Sequence, residues 1–121
     1  MTKSFALSIG WIFVFVGIMN FFVTSPDTIK VLPAHAILHI VAGLVGVIFR
    51  NSYKGYILWV SIIGILLSVL GFAGVKEVTT YFNLPVGFNY FHAVVGITSL
   101  LVYFSARNAQ TVLKNHTRNP V

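Results

Sequence analysis

The sequence predicts an all-α fold, an integral membrane four-helix bundle built from two pseudo-repeated helical hairpins with both termini cytoplasmic. Three observations lead there. Of 121 residues, 57% are hydrophobic and only 8% are charged, with a mean hydropathy of +0.90, which is too apolar for a soluble core under a polar coat. The apolar residues gather into four runs separated by short polar stretches. The second pair of runs repeats features of the first.

A helix needs about 20 apolar residues to cross a bilayer, with roughly 17 to 25 tolerated. The first helix is expected over about 5–23, "FALSIGWIFVFVGIMNFFV". Lys3 before it and "VTS" at 23–25 resemble a signal peptide, but the run exceeds the usual signal core of about 7 to 15 residues, so the helix is expected to be retained. The second, about 34–49, is short, and its start is set by Pro33, which suits a first helical turn and disfavours helix just before it. The third is expected over about 55–75 and the fourth over about 88–105, followed by a basic cytoplasmic tail at 106–121. All four make one domain, 1–121.

Charge sets the orientation. Lys3, Arg50, Lys54, Arg107, Lys114 and Arg118 lie at the amino terminus, the central turn and the tail, whereas Lys30 and Lys76 share the other two loops with the only acids, Asp27 and Glu77. By the positive-inside rule the first group faces the cytoplasm, and the 24–33 and 76–87 loops face outward. The formal charge of +6 is then an attraction to anionic lipid head groups rather than to nucleic acid. The absence of cysteine excludes disulfides, thiolate metal sites and cysteine nucleophiles. With no phosphate loop, paired carboxylates or nucleophile elbow, enzyme chemistry is not expected. In the tail, Asn115-His116-Thr117 fits a glycosylation pattern, but on the cytoplasmic side it would not be used.

The repeat bears on the histidines. "LPAHAILHIVAG" at 32–43 and "LPVGFNYFHAVVG" at 84–96 share a Leu-Pro opening and the run His-x-Val-x-Gly, so His39 corresponds to His92. Upstream, Gly10 and Gly17 correspond to Gly64 and Gly71. Membrane helices pack through small and polar residues, and each helix carries such a stripe: Gly10, Phe13, Gly17 and Asn20; His35, His39, Gly43 and Gly46; Ser61, Gly64, Ser68 and Gly71; His92, Gly96, Ser99 and Tyr103. The histidines are therefore expected to face protein. His39 and His92 should meet at similar depth, with His35 one turn away and Asn20 and Asn89 as supporting polar groups.

The segments "GWIFVFVGIMNFF", "HAILHIVAGLVGVIFR", "GYILWVSIIGILLSVLGF" and "FNYFHAVVGITSLLVYF" together resemble a family of small bacterial four-helix membrane proteins classed as a domain of unknown function. The family's His-x-x-x-His and glycine in the second helix correspond to His35, His39 and Gly43, and its Asn, His and Gly in the fourth to Asn89, His92 and Gly96. Where the family has an acidic residue before the fourth helix, this chain has Gly87 and Phe88. The resemblance implies a multi-pass protein of the bacterial inner (plasma) membrane and brings no activity with it.

Three functions fit the histidines. In the leading one they are structural, neutral rings joining helices by hydrogen bonds worth about 0.6 to 2 kcal/mol each, with no cofactor. In the second, His39 and His92 bind b-type haem axially, or His35, His39 and His92 hold a transition metal. In the third the chain is a component of proton or small-ion transport, because such paths thread ionisable side chains through membranes. The small-residue faces leave room for a homo-oligomer or a larger membrane partner.

Overall fold

A Leu-Pro pair opens two of the long helices. Proline fixes its own φ and disfavours helix before it, so Leu32 is extended (φ −61°, ψ 148°) and its carbonyl accepts from the His35 and Ala36 amides at 2.9 and 3.0 Å. At the second pair the Pro85 carbonyl accepts from the Phe88 amide at 2.9 Å. The computed structural model describes residues 2–23 and 32–118. Asp27 and Lys30 lie outside them, as do the side chains of Arg50, His116 and Arg118.

The described chain is all-helical: α1 (Thr2–Phe22), α2 (Pro33–Ile48), a 3₁₀ turn (Arg50–Ser52), α3 (Tyr53–Phe72), α4 (Lys76–Phe82) and α5 (Val86–Arg118). Three helices, α1, α3 and α5, are long and apolar enough to cross a membrane. At 1.5 Å per residue the 16 residues of α2 reach about 24 Å, short of a hydrocarbon core of about 30 Å.

Three features differ from the sequence expectation. The 76–87 stretch is not a plain loop: α4 folds there, ended by Asn83 in the left-handed region (φ 42°), where asparagine is tolerated better than most residues. The fourth long helix does not stop at 105 but continues through 106–118 of the basic tail, since nothing in "SARNAQTVLKNHTR" breaks a helix. There the Lys54 ammonium, near the start of α3, donates to the Gln110 side-chain oxygen. The third helix ends at Phe72 rather than near 75, because Gly74 adopts φ +68°.

Helices α1 and α2 pack as one pair and α3 and α5 as another. Each pair closes on glycine. A Cβ on Gly10 would stand 2.8 Å from the Gly43 carbonyl oxygen, and one on Gly64 would stand 2.9 Å from that of His92 and 3.1 Å from the Gly96 Cα. The pairs join through Ile9, Phe13, Val60 and Val95 in one apolar cluster and through Ala36, Leu84 and Phe88 in a second, with Phe91 packed against both. Outside these clusters the surface is itself apolar: Phe15, Phe22, Ile48, Trp59, Val94 and Leu101 are all exposed. A girdle of large apolar side chains around helices that cross on glycine suits hydrocarbon rather than water as the solvent.

Candidate metal centre

On α2, His35 and His39 stand one turn apart on the stripe that ends in Gly43 and Gly46; on α5, His92 stands one turn before Gly96. The fold brings the three rings together in a triangle, with His35 stacked on both His39 and His92. Ring centroids are 4.6 Å apart for His35 and His39, 5.6 Å for His35 and His92, and 5.7 Å for His39 and His92, with interplanar angles of 27°, 27° and 33°. One ring nitrogen from each lies within 4.8 Å of the others. All three side chains are buried, between 4 and 5% exposed.

The rings differ in their hydrogen bonding. His35 Nδ1 lies 3.0 Å from the Phe82 carbonyl oxygen. A carbonyl only accepts, so Nδ1 carries the hydrogen, and in the neutral ring the lone pair sits on Nε2. Backbone carbonyls orient metal-bound histidines in this way. By contrast, Nδ1 of His39 and Nδ1 of His92 are buried with no hydrogen-bond partner. Aromatic side chains crowd around them: Phe13 is 5.5 Å from His39, and Phe88 lies 5.5 Å from His39 and 6.0 Å from His92. Phe91 touches both rings at 6.0 and 5.9 Å.

The triad stands at one end of a cavity of about 650 Å³ between α2 and α3. Its walls are apolar, including Leu38, Val45 and Phe49 of α2 and Trp59 and Ile63 of α3. Those five side chains are also exposed on the outer surface, so the cavity is a groove open sideways. At its far end the Tyr56 hydroxyl packs against Gly46, buried and without a hydrogen-bond partner.

The remaining predicted residues are placed as follows. Gly10 and Gly43 meet in one helix pair, Gly64 and Gly96 in the other, and Gly17 abuts the Ala36 carbonyl, where a Cβ would come within 2.6 Å. Gly71 abuts the Asn89 side-chain amide. Asn89 is therefore turned toward α3, with its Oδ1 buried and unpartnered, and the structure shows no bond from it to a histidine. Asn20 is buried in the wall of a second, smaller cavity with Phe88 and Phe91.

Sequence reasoning did not find Phe82, whose carbonyl fixes His35, or Tyr56, which lines the groove, whereas Phe13, expected on the inward stripe of the first helix, stands beside His39. A signal for Phe82 was there. Asn83 just ahead of Leu84-Pro85 is a helix-stop pattern, and it implies a short helix whose last carbonyl is free to accept. No family model, no curated protein and no solved structure matches the chain.

Proposed function

We propose that this chain is a multi-pass inner-membrane protein that binds one transition-metal ion, of the zinc or copper class, through His35, His39 and His92. One observation carries the reading: three buried imidazoles converge within 4.8 Å while two of them leave a ring nitrogen unpartnered. A buried donor or acceptor left unmade costs about 1 to 3 kcal/mol. Rings placed there only to join helices would be expected to use that capacity. Imidazole nitrogen is a good ligand for zinc and copper, and three histidines with an open fourth position are a known zinc arrangement.

An ion is favoured over haem by the packing. Axial haem ligation needs two rings facing each other across a flat macrocycle, whereas His35 stacks on both His39 and His92, and Phe88 and Phe91 pack against both. A tetrahedral ion at about 2.0 to 2.1 Å from each nitrogen sets nitrogen separations near 3.4 Å, so the rings turn out of their stacked orientation to close on it. The role is binding rather than catalysis, since neither acid of the chain lies in the helices that carry the triad and a general base is lacking there.

The membrane reading extends to a bundle of α1, α2, α3 and α5 as two repeated hairpins with both ends cytoplasmic. Support comes from the equivalent crossings Gly10 on Gly43 and Gly64 on Gly96, and from the bases Lys3, Lys54, Arg107 and Lys114 at one end. A reporter fused after Val121 is expected on the cytoplasmic side; activity only outside would reverse the orientation.

The metal reading is tested on protein purified in mild detergent, stripped with chelator and titrated with zinc. One zinc per chain by elemental analysis, with no Soret band in the visible spectrum, is the expected result. No stoichiometric zinc or copper, or a haem spectrum, would overturn it.

A further inference from the structure

A divalent ion held by three neutral imidazoles keeps its full charge. The chain has two acids, Asp27 and Glu77, and neither belongs to α2 or α5, which carry the triad. The triad is instead surrounded by phenylalanine rings. An unneutralised charge in such surroundings is strongly unfavourable, and among the described residues no carboxylate joins the three histidines, so the fourth position calls for an anion.

The groove indicates which anion. Lined by both His39 and His92 at one end, it runs past Leu38, Val45 and Trp59 to Phe49 and Ser52. From His35 to Phe49 is 14 residues of α2 and its cap, or about 21 Å at helical rise. Its volume of about 650 Å³ falls inside the range of roughly 300 to 1,000 Å³ typical of small-molecule sites. It is long, apolar along its length and open sideways between two helices that face hydrocarbon.

We infer that the groove takes a long-chain carboxylate of the fatty-acid class, its headgroup on the metal ion beside His39 and His92 and its chain lying between α2 and α3. This rests on the metal reading above. The carboxylate supplies the missing negative charge and an oxygen ligand, and the chain matches the apolar walls. A two-chain phospholipid fits less well, because its head group belongs at the bilayer surface. His39, six residues beyond Pro33, lies about 9 Å along the helix from there. Hydroxide or halide would neutralise the ion but leave the groove unused.

Trp59 makes the test direct, since it lines the groove while the only other tryptophan, Trp11, does not. The Trp11→Phe protein, loaded with zinc in detergent micelles, is titrated with a fatty acid brominated at mid-chain. The same-length brominated alcohol and brominated phosphatidylcholine serve as controls. Expected is saturable quenching of Trp59 by the acid at one per chain, at least tenfold tighter than by the alcohol, and at least tenfold weaker once zinc is removed. Ala42→Phe, which narrows the groove wall, should weaken the acid by a similar factor. Quenching that is non-saturable, equal for acid and alcohol, or indifferent to zinc overturns the inference. Zinc content measured on the same samples separates the two failures. Bound zinc without preference for the acid removes the lipid and keeps the metal site, whereas no bound zinc removes both.

Discussion

His39→Leu is expected to abolish zinc binding and, at the same time, to leave the zinc-free protein no less stable than the wild type. The sign is what matters. The His39 ring is 5% exposed and its Nδ1 has no partner, and such an orphan costs about 1 to 3 kcal/mol. Leucine removes the orphan and fills similar space. Losing the ring contacts with Phe13 and Phe88 takes back about 0.5 to 1.5 kcal/mol for each pair, so the two terms nearly cancel. His92→Leu should behave alike, because its Nδ1 is also unpartnered, whereas His35→Leu should lose stability with the bond to Phe82.

Thermal unfolding in detergent with chelator checks the signs, and titration calorimetry checks zinc. Zinc at a hundred times its dissociation constant should stabilise the wild type by about 2.7 kcal/mol and the leucine variants not at all. Histidines that only joined helices would give the opposite result: both leucine variants less stable, and no protection by zinc. A buried polar cluster that adds nothing to apo-state stability is a common signature of function.

The residues that made this site legible in the sequence are the ones whose chemistry is rare in a membrane helix. His35, His39 and His92 stood out because polar residues there must face protein, and the Leu-Pro repeat pairs the last two. The stripes of glycine likewise pointed to helix contacts. What the sequence did not disclose was which stripe met which. Gly10 lies on Gly43 and Gly64 on Gly96, and periodicity alone assigns a face without naming its partner. The groove was illegible for the same reason. It arises from the separation of α2 and α3, a relation between elements, and its walls of Leu38, Val45 and Ile63 read in sequence as ordinary lipid-facing residues. The α4 helix was missed because seven residues, "KEVTTYF", are too short for periodicity to speak. The tail was set apart from the fourth helix by its charge, although its helix propensity was intact and α5 runs on through it.

Gly64→Val should have the largest effect on the fold, lowering stability by about 3 kcal/mol. A Cβ there meets the His92 carbonyl oxygen at 2.9 Å and the Gly96 Cα at 3.1 Å. Both are backbone, so no rotamer change relieves the contact, and α3 and α5 must move apart. Overpacking usually costs about 1 to 3 kcal/mol where side chains can adjust, and here they cannot, which puts the expectation at the top of that range. The consequence reaches the site because the atom struck belongs to His92 itself. Displacing that segment of α5 draws one ligand from the other two, and zinc affinity should fall at least tenfold even in the fraction that stays folded. Gly55→Ala is the matched control. Nothing lies within 4 Å of its Cβ position, and alanine is the better helix former, so this variant should be as stable as the wild type or about 0.5 kcal/mol more so, with zinc binding intact. If Gly64→Val unfolds at the wild-type temperature and binds zinc normally, the α3–α5 crossing does not hold His92 in place. The triad would then need another support.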